Sequence, residues 1–360
     1  MEDGSAERGR LTIGLDLGDR YSHLCVMNSG GDVEEEGRVA TTREALRRRF
    51  GSCERVRVAL EVGTHSPWVS RLLKECGHEV LVANPSKLRM IYENDNKDDR
   101  VDAEWLARIA RMDPQLLKPI QHRGVEAQAD LAVVRARSSL VCSRTQLVNH
   151  VRGAVKAFGG RVPRCSTESF AKRAVAYIPE PLQEALSPVL QTIATLTQQI
   201  RDYDRRVEAM AENRYPDAKL LQQVGGVGPL TAVTYILTIE DPHRFKKSRA
   251  LGPYLGLKPR KDKSGELDPQ LRITKAGDMA LRSLLVGSAH YILGPFGPDC
   301  DLRRKGLAMA ERGGKNAKKR AVVAVARKLA VLLHRLWITG EVYEPLRSST
   351  TARRSQSVPA

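Results

Sequence analysis

The N-terminal part of this chain alternates short apolar runs with turns, and this pattern constrains the fold more than any other feature. Leu11–Leu17, Tyr21–Met27 and Val33–Val39 are rich in apolar and β-branched residues, as strands are. Gly18-Asp19 follows the first run, and Ser29-Gly30-Gly31-Asp32 separates the second from the third. Turn residues of this kind between such runs predict three successive strands joined as hairpins.

After the third run, the periodicity alternates between helix and strand. We expect a helix that Thr42 caps and that runs to about Phe50, and further helices over Ser66–Cys76 and Asp99–Arg111. We expect strands over Arg55–Val62 and Glu79–Ala83. The order is therefore three strands, helix, strand, helix, strand, helix. A meander that passes into alternating α and β elements predicts an α/β domain with the RNase H-like (RuvC-like) arrangement.

The rest of the chain is predominantly helical by its pattern. Glu126–Phe158 contains no proline and predicts one long helix, and Met279–Ile292 and Lys315–Trp337 are also strongly helical. We therefore expect four parts, namely a RuvC-like catalytic domain over 1–122, a helical linker and coiled coil over 123–214, a mostly α C-terminal domain over 215–345, and a disordered tail over 346–360.

One stretch of the middle part carries apolar residues at alternating steps of three and four. This heptad pattern indicates a coiled coil that joins two or more copies of the chain, as a dimer or tetramer. The alternative is an amphipathic helix packed inside its own subunit. The stripe consists of Leu186, Val189, Ile193, Leu196, Ile200, Tyr203, Val207 and Met210.

The charge of the chain narrows its possible partners. Fifty-nine Lys and Arg against 42 Asp and Glu leave a formal net charge of +17, which favours a polyanion such as nucleic acid or an acidic membrane. The apolar stretch Ala321–Trp337 is interrupted by Arg327, Lys328, His334 and Arg335, so we do not expect it to span a bilayer. The six scattered cysteines and the absence of a signal-peptide pattern suggest a cytoplasmic, nucleoid-associated protein.

Four acidic residues fall at element ends. Asp16 and Glu61 end the first and fourth predicted strands within apolar runs, where a charge is costly without a partner. Asp99 and Asp102 are three apart at a helix start and so share a face. If the two strands are neighbours, the four carboxylates converge and select Mg²⁺ or Mn²⁺. Taken singly, each could instead end a strand or favour a helix N-terminus.

A glycine-rich segment in the C-terminal part predicts a helix-hairpin-helix. In Val224–Pro229, Gly226 and Gly228 would let backbone N–H groups approach a phosphate next to a helix N-terminus. The alternative is an ordinary tight turn between helices. The side chains that we expect to contact nucleic acid are Arg137, Arg144, Arg260, Lys275, Lys315, Lys318, Lys319 and Arg320.

Two sets of motifs resemble one transposase group, insertion-sequence family one-ten, which includes the Piv DNA invertases and the bridge-RNA-guided recombinases. The resemblance covers about residues 11 to 340. Segments that resemble its DEDD domain are Gly14-Leu15-Asp16, Leu60-Glu61 with Gly63, Ala83-Asn84-Pro85 and Asp99-Arg100-Val101-Asp102-Ala103. Segments that resemble its C-terminal transposase domain are Val227-Gly228-Pro229, Asp241-Pro242 with Arg244-Phe245, Gly256-Leu257 with Pro259-Arg260, Ser264-Gly265, and Ile273-Thr274-Lys275-Ala276-Gly277.

This resemblance implies a DNA transposase or site-specific recombinase that is guided by a structured RNA from its own element. It assigns the acidic set to Asp16, Glu61, Asp99 and Asp102, and an essential serine to Ser264. The family often has Ser-Ser-Gly-Gly at this point, whereas this chain has Lys263-Ser264-Gly265-Glu266, so a single serine remains. A serine that attacks a phosphodiester conserves the bond energy as a phosphoserine, which allows rejoining without ATP.

Three other functions share part of these features. Ile13–Gly18 also resembles the first phosphate loop of actin-like ATPases and sugar kinases, although that class would leave the Asp99–Asp102 pair unexplained. A RuvC-type junction nuclease needs the carboxylates but not the serine. A non-catalytic DNA-binding protein needs only the glycine hairpin and the basic helices.

Overall fold

The computed structural model describes residues 11–84, 99–265, 267, 269, 271–314 and 316–347. These residues form two compact units that divide after Gly124. Lys315 and the tail from residue 348 onward lie outside the described residues.

A five-stranded sheet in the order β3-β2-β1-β4-β5 forms the centre of the first unit. β1 pairs antiparallel with β2 and parallel with β4, and β4 pairs parallel with β5. The predicted order of elements is confirmed, with bounds β1 Thr12–Asp16, β2 Tyr21–Met27, β3 Val33–Ala40, α1 Arg43–Phe50, β4 Arg57–Glu61, α2 Ser66–Glu75, β5 Glu79–Ala83 and α3 Asp99–Met112.

Alternation along β1 explains how helices cover both faces of this sheet. Ile13 and Leu15 lie in the apolar cluster that includes Leu46 of α1 and Leu72 of α2. The intervening residue, Gly14, faces α3, where small residues pack closely on the strand. Two smaller clusters complete this second face, and they consist of Ala59, Ala83, Leu106, Ile109, Ala110 and Leu117, and of Cys25, Met27, Ala103 and Ala107.

Within its described residues, the regular elements of the second unit are helices, and a hairpin around Ser264 lies between two of them. Its helices are α4 Val125–Ala157, α5 Phe170–Ala174, α6 Glu180–Asn213, α7 Asp217–Leu221, α8 Pro229–Ile239, α9 Leu251–Tyr254, α10 Met279–Leu293, α11 Asp301–Glu311 and α12 Ala317–Thr339. The bounds of α4, α10 and α12 were predicted to within two residues, whereas for α6 only the stripe from Leu186 to Met210 was predicted. The helix α11 was not predicted, because its few apolar residues lie between arginines and lysines.

The heptad stripe on α6 is covered within the same chain. Ile193 and Ile200 are 0% and 3% exposed, and Ile193 packs in a cluster with Val148, Val151 and Val155 of α4. All eight residues of the stripe are buried or half-buried. The stripe therefore agrees with the alternative interpretation, an amphipathic helix packed inside its own subunit. Burial of these side chains requires no second copy of the chain.

Two arginines that we expected to contact nucleic acid belong to this helix pair. Arg137 forms a 2.5 Å ion pair with Asp204, and the buried Arg144 donates to the Thr197 hydroxyl at 3.3 Å. A guanidinium that lies between two helices and is bonded to one of them cannot reach a DNA phosphate at the surface. We therefore assign both residues to the packing of α4 on α6.

The C-terminal helices share one core around α8, α10 and α12. The fully buried Tyr235 of α8 donates its hydroxyl to the carbonyl of Ala330 in α12 at 2.6 Å. His334 of α12 lies 2.9 Å from both the Ser248 hydroxyl and the Pro242 carbonyl. These polar contacts lie inside an otherwise apolar core and fix how the helices pack. In the part of the chain that is described, we find no helix with the length and apolarity needed to cross a membrane.

Candidate functional site

The sheet brings two of the candidate acidic residues side by side. β1 and β4 are parallel neighbours with Leu15 opposite Leu60, so Asp16 and Glu61 follow at the same edge. Both side chains are half-buried. The adjacency of the two strands, on which the predicted convergence depends, is present.

The electrostatics of Asp16 reflect the negative charges of the other three candidate carboxylates. Burial and, after it, the negative charges of Asp99, Asp102 and Glu61 raise the pKa of Asp16 to about 6. Desolvation and like charges both disfavour the ionised carboxyl, whereas a cation at this edge would favour it. The edge is thus a region of concentrated negative potential.

His23 belongs to this edge and was missed by sequence reasoning. It lies opposite Asp16 in the β1–β2 register, and its Nε2 is 3.9 Å from an oxygen of Asp99. Its positive form lowers the pKa of Asp16, against the direction of the carboxylates. The hairpin register around Leu17–Arg20 would have indicated it, because a tight turn pairs the residues on its two sides.

A close approach of α3 to the sheet positions Asp99 and Asp102. A β-carbon added to Gly14 would lie 1.8 Å from the carbonyl oxygen of Ala103 and 2.7 Å from the amide nitrogen of Ala107. Only glycine allows this separation between strand and helix. The start of α3, with its two carboxylates, is therefore held at the end of β1.

The donor chemistry of the edge fits a hard divalent cation. Carboxylate oxygens are the ligands that Mg²⁺ and Mn²⁺ prefer, and a bound cation would oppose the burial and the like charges that raise the pKa of Asp16. Among the described residues, however, no three His, Cys, Asp or Glu side chains are close enough together to hold a metal ion. The four candidate carboxylates would therefore have to move closer to one another to ligate an ion.

Ser264 lies in the second unit, near the tip of a hairpin. Its amide donates to the Leu267 carbonyl at 3.2 Å, and the Leu267 amide donates back at 3.0 Å. Gly265 has φ +56°, a value that favours glycine and permits this tight turn. Ser264 is exposed, as is Lys263 before it. The hairpin thus presents a hydroxyl to solvent beside both positive and negative side chains, among them Lys263 and Asp262.

The base of this hairpin is clamped from two directions. Gly256 and Gly277 both have positive φ, and a β-carbon at either would lie about 2 Å from the backbone of the opposite arm. The Nη1 of Arg282 in α10, whose side chain is buried, donates to the carbonyls of Leu255 and Ala276, each at 3.1 Å. Arg282 was not predicted, since a single arginine in a helix pattern carries no distinguishing signal.

The glycine segment forms a tight turn between α7 and α8. Gly226 has φ +88°, and Gly228 precedes Pro229, the first residue of α8. No side chain of the described residues caps the start of α8. Pro229 has no N–H group and the Ala232 amide donates to the Gly228 carbonyl, so Leu230 and Thr231 carry the amides that this end could offer to an anion.

The remaining expected cations are at the surface. Arg260 and Lys275 flank the serine hairpin, and Lys318, Lys319 and Arg320 lie in the first turn of α12, all exposed. Exposed cations that lie close together in the chain are suited to contacts with DNA phosphates, and such contacts depend on charge and not on base sequence.

Comparison with known proteins agrees with these two sets of features. Residues 13–159 match the family model of the DEDD transposase of IS110, described as a transposase. Residues 218–296 match a second model, described as transposase IS116/IS110/IS902 family. A Sinorhizobium fredii protein named as a transposase is 31% identical over 343 residues, which cover 92% of this chain and 85% of that protein.

The chain belongs to the IS110 family of transposases. The transposase for insertion sequence element IS1111A of Coxiella burnetii is 29% identical over 92% of this chain and 90% of its own length. The transposase for element IS1328 of Yersinia enterocolitica is 28% identical over 78% of this chain and 83% of its own length. Membership in this family implies an RNase H-like N-terminal domain and an enzyme of DNA transposition or recombination.

Proposed function

We propose that this transposase cleaves and rejoins DNA with Ser264 as its nucleophile and with a divalent metal ion held by Asp16, Glu61, Asp99 and Asp102. The observation that carries the proposal is the placement of Asp16 and Glu61 at one edge of two neighbouring strands, where burial and then the charges of Asp99, Asp102 and Glu61 raise the pKa of Asp16. Four carboxylates brought to one sheet edge repel one another and lower stability, so their placement favours a function that brings a cation.

The residues at this edge have distinct parts in the proposal. Asp16 and Glu61 lie at the ends of two strands and form the rigid side of the site. Asp99 and Asp102 lie on α3, whose approach is set by Gly14. Bound Mg²⁺ or Mn²⁺ would neutralise negative charge on the phosphodiester and so favour attack of a nucleophile on its phosphorus. His23, beside Asp99, would adjust the protonation of the cluster.

Ser264 supplies the covalent step. Its Oγ forms a bond to phosphorus while the bond from phosphorus to one deoxyribose oxygen breaks. The serine hydroxyl loses its proton, and the departing oxygen takes one up, so the step is balanced without an oxidant or ATP. Attack on the phosphoserine by the hydroxyl of another DNA end then reverses these bond changes and joins the strands.

The binding part of the proposal uses the second unit. The glycine turn before α8, as a helix-hairpin-helix, and the exposed cations Arg260, Lys275, Lys318, Lys319 and Arg320 would hold DNA phosphates. The resemblance to RNA-guided recombinases supports a structured guide RNA as a second polyanion, and the net charge of +17 suits both. We further propose a RuvC-like domain over 1–122, a helical middle over 123–214 and a C-terminal transposase domain over 215–345.

Trapping the reaction tests the nucleophile. Stalled reactions of the wild-type protein should contain DNA attached covalently to the peptide that carries Ser264. Ser264→Ala should lose both this adduct and recombination, yet bind nucleic acid as before because the cations are unchanged. Ser264→Cys should retain traces of activity, since a thiol is also a nucleophile. Ser187→Ala, at an exposed serine of α6, is the matched control and should behave as wild type.

Two outcomes would replace this proposal. Metal-dependent cleavage that yields only free ends in wild type and in Ser264→Ala would indicate a RuvC-type nuclease that acts by hydrolysis. DNA binding without any strand cleavage would indicate a non-catalytic DNA-binding protein.

A further inference from the structure

The C-terminal unit carries an exposed aromatic side chain on a backbone that is held in place. Phe296 is 84% exposed and lies in the segment Gly294-Pro295-Phe296-Gly297-Pro298, between α10 and α11. A single exposed apolar side chain is common on protein surfaces, so the significance of Phe296 depends on how its loop is held and on what lies beside that loop.

The loop around Phe296 is fixed by several contacts. The Nη1 of Arg303 in α11 donates to the carbonyls of Ile292 and Gly294 at 2.6 Å and 2.5 Å. A β-carbon at Gly297 would lie 2.3 Å from the Ile292 carbonyl oxygen, so the loop folds back tightly on the end of α10. Pro295 and Pro298 restrict the backbone on both sides. The exposure of Phe296 is therefore a property of the fold and does not come from a loose loop.

The same loop adjoins the glycine turn. A β-carbon at Gly225 would lie 2.8 Å from the ring of Pro298. Gly225 and Gly226 form one wall of an open hollow of about 570 Å³, whose other walls include Thr231 of α8 and Gly287 and Tyr291 of α10. Tyr291 is itself half exposed, at 47%. Tyr291 thus lines a hollow large enough for a nucleotide, and the loop that carries Phe296 adjoins this hollow through Pro298.

We propose that this hollow, which we name the glycine-turn hollow, receives an unpaired nucleobase of DNA, with Phe296 stacked on the base or on its neighbour. The π-face of a base stacks on an aromatic ring regardless of its sequence. The adjacent backbone phosphate would then lie at the uncapped N-terminus of α8. This inference rests on the proposed function, because it assumes that the second unit binds DNA.

The surroundings of Phe296 favour a nucleic acid over a protein partner. The hollow beside its loop is lined by glycines and by polar side chains such as Thr231, Ser283 and Ser288, whereas the buried centre of a protein interface is more apolar. The chain also carries a net charge of +17, which attracts a polyanion. An unpaired base offers a small, flat surface that can stack on the Phe296 ring, and its backbone phosphate can lie at the N-terminus of α8.

Fluorescence of 2-aminopurine tests the proposal directly. One DNA duplex would carry 2-aminopurine as a single unpaired bulge, and a second would carry it fully paired. The wild-type protein should bind the bulged duplex more tightly and quench its fluorescence by stacking. Phe296→Ala should abolish the quenching and weaken binding of the bulged duplex by about tenfold, whereas Phe296→Trp should retain both.

Matched variants separate this effect from general changes. Phe158→Ala removes an exposed phenylalanine after α4, 55% exposed, and should leave both probes unaffected. Gly287→Leu should fill the hollow and weaken binding of the bulged duplex, since a β-carbon at this position meets nothing within 4 Å. Gly153→Leu, on α4 with equally open space, is its control and should bind both duplexes as wild type does. Circular dichroism of each variant verifies the fold.

The outcomes distinguish this inference from the function on which it rests. If the wild-type protein binds neither duplex, the proposed DNA-binding role of the second unit fails and the inference fails with it. If it binds both duplexes and Phe296→Ala changes neither the quenching nor the preference, the inference alone is overturned. A change in molecular mass on Phe296→Ala without an effect on DNA binding would assign the ring to a protein contact and also overturn it.

Discussion

Gly14 of β1 lies directly beneath Ala103 of α3, so closely that a β-carbon at residue 14 would be 1.8 Å from the carbonyl oxygen of residue 103. The contact couples the centre of the sheet to the helix that begins with Asp99 and Asp102. Because Gly14 has no side chain, α3 lies close to the sheet, and this sets the distance between Asp99 and Asp102 on the helix and Asp16 and Glu61 on the strands.

Gly14→Ala should separate α3 from the sheet. The added methyl group meets backbone atoms that cannot rotate away, so we expect a loss of about 1–3 kcal/mol in the free energy of unfolding. The recombination rate should fall further than the loss of folded protein would explain, because Asp99 and Asp102 move with the helix. Thermal unfolding and a recombination assay measure the two effects. Gly63→Ala, where a β-carbon meets nothing within 4 Å, is the control, and equal behaviour of the two variants would contradict this role for Gly14.

Removal of any one of the four carboxylates should abolish recombination. Asp16→Ala, Glu61→Ala, Asp99→Ala and Asp102→Ala each remove a proposed metal ligand while sparing the apolar core. We expect each variant to fold and to bind nucleic acid largely as wild type does. Asp19→Ala removes a nearby exposed carboxylate that interacts with His65 and should retain activity. Wild-type recombination in any one of the four variants would remove that residue from the site.

The raised pKa of Asp16 predicts how stability depends on pH. Its ordinary value is 3.8 and its value in the fold is about 6, so between these values the folded state binds more protons than the unfolded state. The contribution of this group to stability therefore falls as pH rises from about 4 to about 6. Asp16→Asn should accordingly be more stable than wild type at pH 7.5, by about 1 kcal/mol after allowance for solvent screening.

Thermal unfolding at several pH values measures this difference. The stability advantage of Asp16→Asn should disappear below pH 4, where the wild-type carboxyl is protonated in both states. Millimolar Mg²⁺ should raise the Tm of the wild-type protein more than that of the variant, because a ligand of the folded state stabilises it. An advantage of Asp16→Asn that is the same at every pH would show that the carboxylate charges do not cause it.

The fold of the first unit could be predicted because its signals are local. Turn residues and period-two alternation placed β1, β2 and β3, and Thr42 was correctly placed ahead of the first helix, where its side chain accepts from the Ala45 amide. The adjacency of β1 and β4 was only a condition of the predicted carboxylate cluster, and the structure meets that condition. Asp16 and Glu61 could be singled out because each is a charge at the end of an apolar run.

What could not be predicted depends on contacts between distant segments. A glycine such as Gly14 has the same appearance whether it faces solvent or a helix backbone. Arg282 clamps a hairpin through two carbonyls, and an arginine that does so has no special spacing. Likewise, the stripe of α6 indicates an apolar partner but carries no information on whether that partner is in the same chain.

Loss of Arg282 should loosen the serine hairpin without removing Ser264 itself. Arg282→Ala leaves the carbonyls of Leu255 and Ala276 without this donor, which we expect to cost about 2–4 kcal/mol. Amide hydrogen exchange over 258–275 should accelerate, and recombination should fall at least about tenfold if the proposed nucleophile needs a fixed position. Arg282→Lys should restore part of the protection. Arg249→Ala, at an exposed arginine, should change neither, and unchanged exchange in Arg282→Ala would refute the clamp.

Charges in the stripe of α6 should distinguish packing within the chain from assembly between chains. Ile193 and Ile200 are almost fully buried in the single chain, so Asp at both positions places unpaired charges in the α4–α6 core. We expect lower helicity and a loss of more than about 3 kcal/mol, measured by circular dichroism and thermal unfolding. Ala194→Asp, on the exposed face of the same helix, should unfold as wild type does. Light scattering tests the opposite outcome. If the double variant keeps its helicity but its particle mass is halved, the stripe joins two copies of the chain, as the heptad pattern alone predicts.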